Sequence, residues 1–517
     1  MKWRPNTMTP ELKEQMRSDI SLFAEKIRAF EAGEVDKKAY KGFSGGFGSY
    51  AQRNGGNMLR LRMAGGRLTK ERLAFLADSI ETYSIDRLKL TTCQTIQFHN
   101  LNADATIDLM EKALEVGIVT RGGGGDFPRN TMASPLSGIG QEEYFDVLPW
   151  AEGAADYLLT LVRDIHMPRK LKVAFSSGPD NITHATFRDL GFVARRDGTF
   201  DVYCAGGLGP NPRLGVKVAE KISPADIIAC IDAMISVFTQ FGNYENRAKA
   251  RTRYLQDTLG ADGLKAEFSK ALSSALQTSP KLDVHPEPVT KTSEETISGP
   301  RILPQKQPGL YTVSYHPAGG NLPADKPRQL YDTIRDMPQA ECRISPDETL
   351  YIINLTASEA EKVLAVTSDS AVTPFQHSVS CIGASICQQG VRDSQALLAS
   401  MLEAVEEAGL PDNALPTVHI SGCPSSCGTQ QIGTLGFQGG VKKVDGAVQP
   451  AYTLLLNGNE LQGSEAFGET IGTILQASIP EFIVELGRTA AASGLDFSAW
   501  LEKHEDDFRS LASKYLV

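Results

Sequence analysis

The chain has 517 residues, 41% hydrophobic and 22% charged, with 52 basic against 62 acidic residues and a formal net charge of -10. That length allows more than one domain with a sizeable core, and the acidic balance argues against broad nucleic-acid binding. No run reaches the roughly 18–20 apolar residues of a membrane span, and Met1–Pro5 lacks the apolar core of a secretory signal. Eight cysteines are too few for a disulfide scaffold, so a cytoplasmic location is expected.

The first predicted element is a helix opening at Thr9-Pro10-Glu11-Leu12, with a threonine cap and proline in the first turn. From about Gly45 to Gly117 follows a block with a strand-like run Met58–Met63, an Ala64-Gly65-Gly66 turn, a helix around Glu71–Ser79 and an alternating strand over Leu88–His99. The same order returns between about Pro308 and Val366: Leu310–Tyr315, Ala318-Gly319-Gly320, a helix over Asp325–Ile334 and a strand over Thr349–Leu355. This predicts two small duplicated α+β half-domains.

Each block precedes a larger segment, Arg129 to about Gln277 and Thr373–Val517, in which helical patterns alternate with short strands. Ile227–Phe238, broken by Asp232, reads as an amphipathic helix, and Asn243–Arg253 as a basic helix face. A Pro/Lys/Ser-rich stretch, roughly Ser279–Pro308, is the expected linker. The glycine clusters Gly122–Gly125 and Gly206-Gly207-Leu208-Gly209 have neither dinucleotide nor Walker spacing.

Four cysteines carry the chemistry: Cys381 and Cys387 as C-x5-C, Cys423 and Cys427 as C-x3-C, 35 residues apart and set among Gly, Ser and Pro. Such loops let four thiolates converge on a tetrahedral zinc or on the corners of a cubane iron–sulfur cluster. The x5 spacing is outside the habit of structural zinc and favours the cluster. Unpaired core cysteines remain the bland alternative.

The segments C-I-G-A-S-x-C and S-G-C-P-x-S-C-G resemble the signature of sulfite and nitrite reductases that couple sirohaem to a 4Fe–4S cluster. The resemblance implies an α+β fold of two ferredoxin-like repeats and two larger α/β sirohaem-binding halves, with internal pseudo-two-fold symmetry. The implied division is 1–44, an N-terminal helical extension; 45–125, repeat 1; 126–278, the sirohaem and substrate half; 279–307, the linker; 308–372, repeat 2; and 373–517, the cluster half. By the same resemblance Cys381, Cys387, Cys423 and Cys427 hold the cluster, and Cys427 also bridges to the sirohaem iron.

Further matches name the rest of the implied site. Arg60 in Leu-Arg-Leu-Arg, Arg129 in Gly-Asp-Phe-Pro-Arg-Asn, and Lys170 and Lys172 in Pro-Arg-Lys-Leu-Lys would surround the anion. Lys89, Thr91, Gln97, His99, Asn130, Gly206 and Gly207 would contact sirohaem. Cys93 stands where the family usually has an arginine against a sirohaem carboxylate, and Arg62 or Arg121 could replace that charge. The activity implied is six-electron reduction of sulfite to sulfide, with nitrite to ammonia as the alternative. A non-catalytic iron–sulfur or zinc module is the reading from another class. With no flavin or nicotinamide fingerprint, electrons would come from a separate ferredoxin or flavoprotein. Lysine at 172, where plant-type nitrite reductases tend to have asparagine, leans towards the dianion sulfite.

Overall fold

The computed structural model describes residues 2–3 and 9–517; Met1 and Arg4–Met8, most of the opening segment judged above, lie outside the described residues. Two compact units divide the chain. The first comprises 1–207, 212–315 and 322–368, and the second 208–211, 316–321 and 369–517.

Within the first unit the helix Pro10–Glu31 starts as read, with Thr9 Oγ1 accepting the Leu12 N–H at 3.2 Å. In repeat 1 the strands Ser49–Ala51, Asn57–Arg62, Thr95–Leu101 and Leu88–Leu90 lie side by side and antiparallel. The single alternating strand expected over Leu88–His99 is therefore a hairpin. Its turn, Thr91–Gln94, is held by Thr91 Oγ1, which accepts the Thr95 N–H at 3.2 Å, and by Gln94 at φ +54°. In repeat 2, Tyr311–Tyr315, Leu350–Leu355 and Glu341–Ile344 pair in that order. Strand Arg67–Leu68 of repeat 1 completes that sheet by pairing with Arg343 and Cys342, so the repeats exchange chain.

The duplicated Ala-Gly-Gly turns have the same backbone. Gly65 and Gly66 sit at φ +59° and +72°, and Gly319 and Gly320 at +53° and +69°, a region that glycine enters without penalty.

The larger halves also repeat one plan, each considered within its own unit. In the first, Met132–Ala133, Val173–Ser176, Leu190–Ala194, Phe200–Cys204 and Val216–Ile222 pair in sequence order, two parallel contacts followed by two antiparallel ones. In the second, Val379–Ser380, Val418–Ser421, Leu435–Val444, Ala447–Leu456 and Glu469–Leu475 do the same. Each sheet is followed by a core helix, Ile227–Phe241 or Ile479–Ala492.

Pro224–Phe241 is long and apolar enough, by composition alone, to cross a membrane. It instead buries Ile227, Ile231, Met234 and Phe238 in the core of the first unit. Asn243–Arg253 is not a helix but two short 3-10 turns, because Asn246 caps the first and Arg251 is extended before the second. The 279–307 stretch is mostly without regular structure, yet it is tied down: Lys291 Nζ donates to the Asn354 carbonyl at 2.7 Å and pairs with Glu359.

Candidate functional site

In the first unit the cations gather where the parallel strands Val173–Ser176 and Leu190–Ala194 begin, beside strand Asn57–Arg62 and the glycine loop 122–125. Arg60 Nη1 and Arg129 Nη1 donate to the same acceptor, the Gly123 carbonyl, at 2.7 and 3.0 Å. Arg129 Nη2 reaches the Gly125 carbonyl at 3.0 Å. Burial, and Arg60 beside it, pull the Arg129 guanidinium down to about 10. With its amide in the orientation its neighbours require, Gln97 accepts from Arg60 Nη2 at 2.7 Å and donates to His99 Nε2 at 3.3 Å. His99 Nδ1 meets Gln52 Oε1 at 3.2 Å. Burial, with Arg87 and Arg60 nearby, drops His99 to about 3, so the ring is neutral and fixed in one tautomer.

Lys172 enters from the other side. Its N–H donates to Asp189 Oδ2 at 2.9 Å and its Nζ to Cys93 Sγ at 3.2 Å. Burial lowers its pKa. Asp189 is fully buried, accepts from Arg251 Nη2 at 3.1 Å and from Thr252, and is held below the usual carboxylate range by these partners against the effect of burial. Lys170 is half-buried, separated from Lys172 by the core residue Leu171. Arg188 donates to the Thr183 carbonyl at 2.9 Å.

Sequence reasoning missed Asp189 and Arg188 and left Arg251 undecided. The signal was an Arg-Asp pair directly before the apolar strand Leu190–Ala194, where a charge has no bland reason to be buried.

Several expected cofactor contacts have protein partners. Lys89 is ion-paired to Glu348, both almost wholly buried. Asn130 Nδ2 donates to the carbonyls of Met63 and Cys93 at 2.8 and 3.0 Å. The N–H groups of Gly206 and Gly207 donate to the carbonyls of Arg188 and Arg213, each at 2.9 Å. A Cβ on Gly206 would lie 2.5 Å from the Phe187 backbone, so close packing explains that glycine. Thr91 braces its own turn through Thr95 at 2.7 Å.

Both candidates to replace the arginine missing at 93 have protein partners. Arg62 donates to the carbonyls of Arg121 and Arg129 at 2.9 and 3.0 Å. Arg121 pairs with Asp19 at 3.2 Å between the rings of Phe47 and Phe127.

In the second unit the two cysteine loops leave the ends of adjacent parallel strands, Val379–Ser380 and Val418–Ser421. The Cys381 N–H donates to the Ile420 carbonyl at 3.1 Å, and Cys381 Sγ accepts the Gly422 N–H at 3.2 Å. Ser394 Oγ, at the start of helix Ser394–Glu407, lies 3.1 Å from the same sulfur. Burial raises the Cys381 thiol, while these donors favour its thiolate. Gly383 (φ +76°), Gly422 and Gly428 admit no side chain: a Cβ would meet Asp393 at 2.5 Å, the Arg392 carbonyl at 2.3 Å and the Ile420 carbonyl at 2.0 Å. Among the described residues no three His, Cys, Asp or Glu side chains are drawn together as a metal group. None of the eight cysteines is in a disulfide. Cys204, Cys230 and Cys342 are core residues whose thiols burial pushes far up.

The cationic donor set fits an anion. Arg129 Nε and Arg251 Nε are buried N–H groups with no hydrogen-bond partner among the described residues. Uncompensated buried donors and crowded like charges call for an anion. An oxyanion and the carboxylates of sirohaem have that character.

Comparison with known proteins agrees. The nitrite/sulfite reductase ferredoxin-like half domain matches residues 50–116 and 303–367, and the nitrite and sulphite reductase 4Fe-4S domain matches 124–276, together more than half of the chain. The chain belongs to the nitrite and sulfite reductase family, oxidoreductases whose cofactors are sirohaem and a 4Fe–4S cluster. It is 28% identical over 421 residues to a ferredoxin–nitrite reductase of Synechococcus elongatus, covering 78% of this chain and 80% of that one. It is 24% identical over 432 residues to a sulfite reductase [NADPH] hemoprotein beta-component of Staphylococcus haemolyticus, covering 74% and 73%. The structure of Mycobacterium tuberculosis NirA superposes with a TM-score of 0.77 over 96% of this chain and 97% of that one; at 22% identity this shows a shared fold.

Proposed function

We propose that this enzyme reduces sulfite to sulfide by six electrons, with Arg60, Arg129, Lys170 and Lys172 binding the anion. The convergence of Arg60 and Arg129 on the Gly123 carbonyl carries this reading, because it fixes two guanidiniums side by side before any substrate arrives. A unit charge pair about 4 Å apart gains about 4 kcal/mol at an effective dielectric of 20. Preorganised cations of this kind bind the oxyanion, hold it in place and donate protons as its oxygens leave as water. When bound, sirohaem and the cluster supply the electron path and the iron on which reduction occurs. Cys381, Cys387, Cys423 and Cys427 are the proposed cluster ligands, with Cys427 shared with the sirohaem iron. A separate ferredoxin or flavoprotein is the donor in this reading, and the location is cytoplasmic.

Lysine at 172 supports sulfite, whose charge reaches two near neutral pH. Nitrite to ammonia is the second reading, favoured by one contact: the Lys172 ammonium lies against the Cys93 sulfur. Steady-state kinetics with a reduced viologen donor test the choice. A higher kcat/KM for sulfite, narrowed or reversed by Lys172→Asn, is expected. A clear nitrite preference unmoved by that substitution contradicts it.

A further inference from the structure

The sulfur of Cys93 sits among cations. Lys172 Nζ is 3.2 Å away, and Arg188 and Arg60 act on it as well. Arg129 responds to its charge in turn. Asp189, which accepts the Lys172 N–H, is engaged by Arg251 and Thr252 as well. Apolar neighbours close the remaining side: Met132, Ala174, Ala185 and Val193, with Tyr203. The backbone is fixed as well, with the Cys93 carbonyl accepting from Asn130 and its N–H reaching Thr91 Oγ1 at 3.4 Å.

We propose that Cys93 is a specificity-determining residue, whose thiolate pairs with the Lys172 ammonium and cancels one unit of positive charge in the anion pocket. The inference rests on the reductase reading of the site. A thiolate here subtracts a positive charge from the pocket and moves preference from dianionic sulfite towards monoanionic nitrite. Burial alone would raise the thiol, but Lys172, Arg188 and Arg60 outweigh it and bring it down to about 6, ionised at neutral pH.

Two measurements on the purified holoenzyme test this. Alkylation of Cys93 by iodoacetamide, read by mass spectrometry from pH 5 to 9, should have a midpoint near 6 in the wild type and a higher one in Lys172→Gln. An ordinary thiol midpoint in the wild type, or one that Lys172→Gln leaves in place, overturns the pair. If the reagent reaches Cys93 at no pH, thermal stability decides. A thiol whose folded pKa is depressed adds stability at high pH that is lost as pH falls through about 6. The Tm difference between wild type and Cys93→Ser should therefore be larger at pH 8 than at pH 5, and a constant difference overturns the pair.

For specificity, Cys93→Ser and Cys93→Ala should raise the sulfite-to-nitrite ratio of kcat/KM about tenfold, as expected for one neutralised charge a few ångströms away at high effective dielectric. An unchanged ratio overturns the specificity role. A wild type that reduces neither anion defeats the reductase reading instead, while the alkylation result still decides the pair.

Discussion

Arg60 and Arg129 donate to one oxygen, the Gly123 carbonyl, at 2.7 and 3.0 Å. Two guanidiniums converging on one oxygen repel each other, and neutral acceptors such as the Gly125 carbonyl and Gln97 offset that only in part. The arrangement stores an affinity for an anion. It also makes Gly123 a precise position. A Cβ there would lie 2.8 Å from the Thr120 carbonyl and 3.0 Å from Gly48 Cα, so the loop must shift. Gly123→Ala should lower kcat/KM for the oxyanion at least tenfold with the fold kept, read by circular dichroism and viologen-coupled kinetics. Unchanged kinetics would show that the shared carbonyl does not set the arginines.

Gln97 is expected to act through Arg60. Gln97→Leu removes the acceptor of Arg60 Nη2 and the donor to His99 Nε2 together. A donor left unpaired in a buried site costs about 1–3 kcal/mol. An approximately 10- to 100-fold loss of kcat/KM is expected, with sirohaem content retained. Loss of sirohaem with the arginine-dependent kinetics intact would return Gln97 to the cofactor-contact role.

Lys89 and Glu348 form a buried ion pair that links the two repeats. Removing one partner of such a pair typically costs about 3–5 kcal/mol, because the other charge is left buried. Glu348→Gln should lower Tm markedly, and adding Lys89→Met should restore part of the loss. If Lys89 instead anchors a sirohaem carboxylate, Lys89→Met alone would strip the cofactor while Glu348→Gln would not. Thermal melts and sirohaem absorbance of the three variants separate these outcomes.

The cysteines divide by environment. Cys381→Ser, Cys387→Ser, Cys423→Ser and Cys427→Ser should each lower iron and acid-labile sulfide in the purified protein. The buried core thiols Cys204, Cys230 and Cys342 should be replaceable by alanine with both contents unchanged. Cluster loss on changing a core thiol, or full retention in Cys427→Ser, would refute the ligand assignment.

The duplicated elements were legible in the sequence because periodicity and the Ala-Gly-Gly turns are local signals. The helix read over Glu71–Ser79 runs from Lys70 to Tyr83, and that over Asp325–Ile334 from Lys326 to Ile334. The hairpin within Leu88–His99 was not legible, since its turn depends on Gln94 at positive φ, held by carbonyls of Gly65, Ala133 and Ile344 far along the chain. The same limit explains Asn243–Arg253. Its charges have a helical look, but Arg247 is claimed by Asp126 and Arg251 by Asp189, and these distant partners impose the turns. In the site, motif position singled out Arg60, Arg129, Lys170 and Lys172 as candidates. It could not show that Asn130 and Lys89 also have protein partners, because those lie far along the chain.

A six-electron reduction of sulfite can be counted electron by electron. Freshly purified wild-type enzyme, showing sirohaem absorbance, is given reduced viologen and limiting sulfite without oxygen, and both oxidised viologen and sulfide are measured. Six viologens should be oxidised per sulfide formed, with no lesser sulfur product accumulating. Absence of sirohaem absorbance, or viologen oxidation without sulfide, would contradict the six-electron reading.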